Sequence, residues 1–418
     1  MQGSNSSEVG GEISVVGGVY RERCRLPDNS DEVWGSGGRA AAVLAGLGLK
    51  VRLHTVVDAS IEPVLLSLAA SFDFDVITQR IPTTLQFQYD HALATPVIWP
   101  PVSTLEKSHL KVDAESVLMF GMLETDVDVS AKRIVYDPQN PISPMPLERG
   151  RVSNAEIAYV LNGAEASKLS GTGDYEEAAR YILREYGAAA VVIKRGAWGA
   201  YVFDGQRSEQ VPSYATERVW PIGSGDVFAA IFAARWTMGM GLSAIEAAHE
   251  ASRGAALYVN DRVLPLSAEL LTGGNAFPFS LISHQPIPLV TGEYHIYLAG
   301  PFFSIAQKWL IEEARLSLKG MGLSVFSPLH DVGLGDGEDV APKDIEGLKA
   351  SRCVLALIDG LDTGTVFEIG YARSLAKPVI ALAESTPLEA LKMIAGTKCE
   401  IVSDFVTAIY RTAWTARR

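Results

Sequence analysis

The run HIYLAGPFFSIAQKWLIEEARLSLKGMGLSVFS, residues 295–327, decides how the second half of the chain folds. HIYLA has the length and apolar character of a strand. Ser304 to Lys319 reads as a helix stopped by Gly320, and LSVFS as the next strand. Strand, helix and strand in succession imply a parallel pair with the helix packed across it. The pattern then repeats. Pro342 to Ala350 reads as a short helix, CVLALID (353–359) as a strand and Thr365 to Ala376 as a helix. PVIALA (378–383) is a strand, Pro387 to Ala395 a helix, and CEIV (399–402) a last strand before a closing helix from Asp404. Five strands with intervening helices make a small doubly wound parallel sheet. In such sheets ligands sit beyond the carboxyl ends of the strands.

Upstream, from Ile13 to Tyr258, the same alternation runs at larger scale. Short β-branched runs such as ISVVGG, KVRLHTVV, SVLMFG, RIVYDP and AAVVIKRG are separated by Ala-rich stretches, with strong helix formers over Gly223–Trp236 and Ser243–Val259. This predicts an α/β fold whose parallel sheet is covered by helices on both faces. ITQRIPTTLQFQYDHALATPVIW (77–99) alternates and is aromatic, and is expected to form a small antiparallel flap. Residues 272–292, rich in proline and glycine and without helical period, read as a linker. The expected organisation is therefore a domain over 11–271, the linker, and a domain over 293–418.

With 418 residues, two domains are the natural expectation. An apolar fraction of 48% and a charged fraction of 20% are those of a globular protein, and exclude a disordered or fibrous one. A net charge of -13 speaks against nucleic acid or an anionic membrane as partner, though not against a single nucleotide, which needs only a local anion site. Three dispersed cysteines, the absence of a signal-like start and the lack of any bilayer-length apolar run imply a cytoplasmic protein. No metal-ligand cysteine cluster, HExxH or Walker loop occurs, so no protein-held metal is expected.

Two constellations carry chemistry. After the strands of the second sheet come Tyr297, Gly300, Asp359, Asp362 and Glu368, with Asp344 from the preceding helix. Carboxylates gathered at one sheet edge suit displacement at an anomeric carbon, where one attacks C1′ as the base leaves and another handles the proton. Glu368 is expected in the first turn of its helix, where the dipole favours the ionised form. Thr365-Val366-Phe367-Glu368 also reads as a capping box that merely closes that helix, and spacing alone favours this bland reading. In the first half, Gly223-Ser224-Gly225-Asp226 opens a helix. Glycine-flanked amides there form an anion hole, and an aspartate can take a hydroxyl proton as it attacks ATP. A plain glycine-rich turn is the bland alternative.

HIYLAGPFF with LSVFSP, and ASRCVLALIDGLDTGTVFEIGYA (350–372), resemble the opening and nucleophile segments of nucleoside 2-deoxyribosyltransferases. The resemblance implies Glu368 as nucleophile and Tyr297 as the hydroxyl that positions it. Asp362 becomes an acid near base or sugar, with Asp344, Asp359 and Gly300 as substrate contacts. GSGGRAAAVLAGLGLKVRLHTVV (35–57), YDPQNP (136–141), NAEIAYVLNGAEASKLSG (154–171) and VVIKRGAWGAYVF (191–203) resemble PfkB-type, ribokinase-like sugar and nucleoside kinases, as does the GSGD helix followed by AIEAAHEASRGAALYV. This implies Asp226 as base, Gly223, Ser224 and Gly225 as anion hole, and Gly37 and Gly38 near the sugar. Asn162 and Glu165 would lie towards the Mg–phosphate region, and Lys194 and Gly196 beside the nucleotide. ATP and Mg2+ are the implied cofactors, with magnesium carried by the nucleotide and none by the second domain. Nucleosides, bases and sugars are the implied partners, and a homo-oligomer the implied assembly. Two departures stand out: Trp220 occupies the position six before Asp226 where those kinases place an aspartate, and VVGGVYRE lacks their early sugar-contacting acid. They leave open an altered kinase fold that only binds a nucleoside and regulates.

Overall fold

The computed structural model describes residues 11–140, 143–148, 151–153, 155–238, 242–272, 277–282 and 288–417. It divides into two compact units, residues up to 281 apart from 217–219, and residues 217–219 with 282–417.

The first unit is built on a nine-stranded sheet. Its strands run Ser208–Val211, Ala200–Phe203, Ala190–Lys194, Glu156–Asn162, Arg133–Asp137, Ser116–Phe120, Glu12–Val16, Lys50–Val57 and Asp75–Arg80, in spatial order. All neighbours pair parallel except the first two pairs at the Ser208 edge, which are antiparallel. The near-continuous apolar runs seen in the sequence follow from burial on both faces. Ile13 and Val15 face the helices Gly35–Gly46, Ser224–Thr237 and Ala244–Asp261, while Val16 faces the opposite core, with Gly163–Ser170 and Tyr175–Tyr186.

The expected antiparallel flap is larger and mixed. Ser30–Val33, Arg21–Leu26, Gln86–His91 and Val97–Trp99 form one sheet in that order, with Arg21–Leu26 parallel to Gln86–His91. RERCRL carries no strand signature in the sequence, because five of its six side chains stay partly or fully exposed, which erases the apolar alternation. A second small parallel sheet joins Ser108–Asp113, Thr125–Ser130 and Val152–Ser153, beyond what the strand–helix alternation predicts. Within the stretch read as a linker, Ser280–Leu281 pairs antiparallel with Tyr214–Ala215. Its residues 273–276 and 283–287 lie outside the described residues.

The second unit is the five-stranded parallel sheet the alternation predicts, in the order Val325–Phe326, Tyr294–Ala299, Ser351–Leu357, Val379–Leu382, Glu400–Val402. Tyr297, Ala299, Val354 and Ala356 share one core with Leu348, Ile369 and Ala372 from the helices Gly337–Ala350 and Thr363–Ser374. The first of these helices begins five residues before Pro342, which sits inside it. A proline forfeits one backbone hydrogen bond without necessarily starting the helix. Among the described residues no helix is long and apolar enough to cross a membrane.

Candidate functional site

In the second unit the sheet brings a phenol and a carboxylate together. Tyr297 is wholly buried in the strand Tyr294–Ala299, with Phe326 stacked on its ring at 5.5 Å. Its hydroxyl donates to Glu368 Oε1 at 2.5 Å. Burial first, and then the charge of Glu368, push the phenol far above its ordinary range, so it remains a donor. Burial also raises the Glu368 carboxyl to about 7; the Tyr297 bond works against this, while Asp344 and Asp362 add to it.

Two expectations about Glu368 are corrected by the helix that carries it. The helix runs Thr363–Ser374 and is capped by Asp362, whose carboxylate accepts from the Thr365 amide at 2.8 Å and the Thr365 hydroxyl at 3.0 Å. Glu368 therefore stands in the second turn, beyond the strongest field of the helix end, and burial moves its carboxyl up instead of down. The Thr365–Glu368 capping box does not form, because Asp362 already supplies the cap.

The remaining acids divide. Asp344 is half-buried, its Oδ1 lacks a partner among the described residues, and burial raises its carboxyl. Asp359 is fully engaged: it accepts from the amides of Glu384, Ser385 and Thr386 at 2.8–3.0 Å and from the Thr386 hydroxyl at 2.7 Å. Burial would raise it, but these donors outweigh burial and hold it below its ordinary value. Asp359 thereby pins the loop after the strand Val379–Leu382. It also lines a cavity of about 220 Å³ with Pro301, Leu310, Leu357 and Glu384. Gly300 lets the strand end approach Leu357, whose Cβ would lie 3.1 Å from any added side chain. Cys353 is packing: burial pushes its thiol up to about 12.

In the first unit Gly223, at φ 80°, turns the chain into the helix Ser224–Thr237. The Ser224 and Asp226 amides are spent on the carbonyls of Pro221 and Gly223, and the Ser224 hydroxyl also donates to Pro221. The Gly225 amide has no partner among the described residues. Asp226 is buried and doubly held. Its Oδ2 accepts from Arg39 Nη1 at 2.7 Å and its Oδ1 from Gln139 Nε2 at 2.5 Å. Arg39 itself is 2% exposed, pairs with Glu22 Oε2 at 2.5 Å and donates to Tyr258 Oη at 3.0 Å.

Arg39 is the residue the sequence reading missed. Its signal was present: a lone cation in the helix GSGGRAAAVLAG, most of whose side chains are small or apolar. The neighbouring Gly37 is explained by packing, since an added Cβ would lie 2.5 Å from the Gly17 carbonyl oxygen, whereas Gly38 has only Val19 near it. Asn162 and Glu165 form a reciprocal capping box on the helix Gly163–Ser170, with Glu165 buried, so both side chains are in structural use. Lys194 pairs with buried Asp137. Gly196, at φ 54°, makes the turn that follows. Trp220 lies under the Arg262 guanidinium, 3.8 Å from the ring centre. Among the described residues no group of acids, histidines or cysteines is arranged to hold a metal.

A cytidine kinase from Thermococcus kodakarensis is 42% identical over 95 residues, which is 22% of this chain and 34% of that protein; the chain thus spans about a third of its relative. A fructokinase from Vibrio cholerae, solved with fructose, ADP and calcium, covers 61% of this chain and 94% of its own at 15% identity and TM-score 0.46. A Burkholderia thailandensis nucleoside kinase in complex with inosine covers 60% and 93% at 18% identity and TM-score 0.45. Residues 131–263 match the family model of the pfkB family carbohydrate kinases, and residues 296–399 match that of the nucleoside 2-deoxyribosyltransferases.

Proposed function

We propose that the chain is a bifunctional enzyme of nucleoside salvage or breakdown, with a kinase domain over 11–271 and a glycosyl-transfer domain over 293–418. In the second domain Glu368 attacks the anomeric carbon of a nucleoside and the base leaves. The glycosyl ester then passes the sugar to another base or to water. What supports this reading is the Tyr297–Glu368 hydrogen bond, made by a buried phenol to a carboxylate with no other side-chain donor among the described residues. Incubation with a mixture of nucleosides and free bases, followed by mass spectrometry, tests it. Exchanged or released bases are expected, and none with any nucleoside would refute it.

The attacking form of Glu368 is the ionised one, so kcat/KM should climb as pH rises towards about 7 and level off above it. Tyr297→Phe removes a bond that lowers this carboxyl. The midpoint should move to higher pH by about one to two units, given what a hydrogen bond to a charged group contributes. A midpoint that stays put or falls would show that Tyr297 does not tune Glu368.

In the first domain the Gly225 amide, unpartnered among the described residues, and the neighbouring Lys194 ammonium fit the phosphates of a nucleotide. MgATP, when bound, supplies the phosphoryl group; Asp226 takes the proton of the acceptor hydroxyl. The identity shared with a cytidine kinase supports a nucleoside as acceptor, with a liberated sugar as the other candidate. Asp226→Asn is expected to abolish acceptor-dependent ADP release. A second reading, in which this domain binds a nucleoside and regulates the other, is favoured by the ion pair that occupies Asp226. Parent protein that shows no ATP turnover across a panel of nucleosides and sugars would select it.

A further inference from the structure

Lys194 ends the strand Ala190–Lys194, and its ammonium lies against the start of the GSGD helix. A Cβ added to Gly225 would sit 3.3 Å from Lys194 Nζ. Gly225 is not among the left-handed glycines of the chain, so the backbone does not demand a glycine there. What the missing side chain provides is space between an unspent backbone amide and a cation. The cation is held in place from behind. Asp137, 1% exposed at the end of the strand Arg133–Asp137, pairs with Nζ through Oδ2, while its Oδ1 lacks a partner among the described residues. Burial would discharge the ammonium, but Asp137 and then Glu165 outweigh it and keep the lysine protonated. Asp226 follows Gly225 in the first turn of the same helix.

We propose that Lys194 is a catalytic residue of phosphoryl transfer, meeting the migrating phosphoryl group at the Gly225 amide, with Asp137 as its positioning residue. This rests on the kinase reading of the domain. In the step, the acceptor oxygen forms a bond to the γ-phosphorus as the bond from that phosphorus to the bridging oxygen of ATP breaks. Asp226 receives the hydroxyl proton, and ADP departs. Lys194 keeps its protons throughout and donates hydrogen bonds to phosphoryl oxygens as their charge grows. A compact ammonium on a flexible stem suits that task, since it follows a moving group without imposing a fork geometry.

The competing role is that Lys194 merely neutralises buried Asp137. Two variants of the full chain separate the roles, Lys194→Met and the doubly neutral D137N/K194M, which leaves no unpaired buried charge. Each is assayed with MgATP and an accepted nucleoside or sugar, and by calorimetry for MgADP with and without aluminium fluoride. Both variants should lose on the order of 10²-fold in kcat while acceptor KM changes by less than about threefold. Both should also lose at least about tenfold of the extra affinity that aluminium fluoride confers over MgADP alone. If D137N/K194M regains parental kcat and parental fluoride-complex affinity, Lys194 is only a counter-ion and the proposal falls. Should Lys194→Met fail to fold, the double variant alone decides. A parent chain that turns over no ATP and gains no affinity from aluminium fluoride overturns the kinase reading itself, which is a different outcome.

Discussion

Glu368→Gln should release or exchange no base beyond a background about 10³-fold below the parent, because the amide keeps the shape of the side chain but lacks the anionic oxygen that attacks. Loss of the nucleophile should also be selective: ATP turnover by the first domain is expected to stay at the parental level. The same substitution makes a second, opposite statement about stability. The folded carboxyl is raised from 4.5 to about 7, so the native state holds a proton that the unfolded chain gives up. Stability from this group is complete below about pH 4.5 and disappears as pH rises through about 7. Above pH 7 the glutamine variant should unfold later than the parent, by on the order of 1–3 kcal/mol. An inactive protein that is the more stable one at pH 8 is the signature of a strained functional carboxylate. Base exchange retained in Glu368→Gln would remove the glycosyl-enzyme mechanism, and a variant less stable than the parent would show that the glutamate is a structural element.

Arg39→Met should be the most damaging single change in the first unit. The guanidinium is 2% exposed and stands between Glu22 and Asp226, whose side chains are only 14% and 11% exposed. Methionine fills most of the volume but leaves two buried carboxylates facing each other without a counter-charge. Removing one partner of a buried ion pair costs about 3–5 kcal/mol. Thermal denaturation should show the transition of this unit lowered by about 6–15 °C. The triple variant Glu22→Gln, Arg39→Met, Asp226→Asn should recover much of that loss, since nothing charged is then left behind. If Arg39→Met alone melts with the parent, the triad contributes no more than an exposed pair would. If the triple variant is no better than the single one, the loss comes from packing and not from charge.

The strand–helix alternation of both halves was legible because the central strands are buried on both faces and read as continuous apolar runs. HIYLA, CVLALID and PVIALA became adjacent parallel strands for that reason. The small sheets of the first unit were not legible. RERCRL and SDEV are strands whose side chains mostly reach water, and no apolar period marks them. Of the second site, sequence order and strand ends placed Tyr297 and Glu368 together, because the rule that ligands gather beyond strand ends needs only topology. It could not say that Asp359 would turn to a loop 25 residues on, since that depends on where the amides of 384–386 come to rest. Nor could it say that Asp226 would be met by Arg39, a contact spanning 187 residues of chain. Glycine motifs announce a backbone conformation and are silent about the side chain that closes on them.

The cap made by Asp362 has a bearing on how protons are handled in glycosyl transfer. Asp362 commits its Oδ2 to the amide and hydroxyl of Thr365, so the turn that carries Glu368 depends on that oxygen staying an acceptor. Asp344 has no such duty among the described residues: its Oδ1 is unengaged, and burial raises its carboxyl. On the proposed mechanism, anchoring and ferrying would thus fall to different carboxylates, Asp362 at the helix start and Asp344 in the helix Gly337–Ala350.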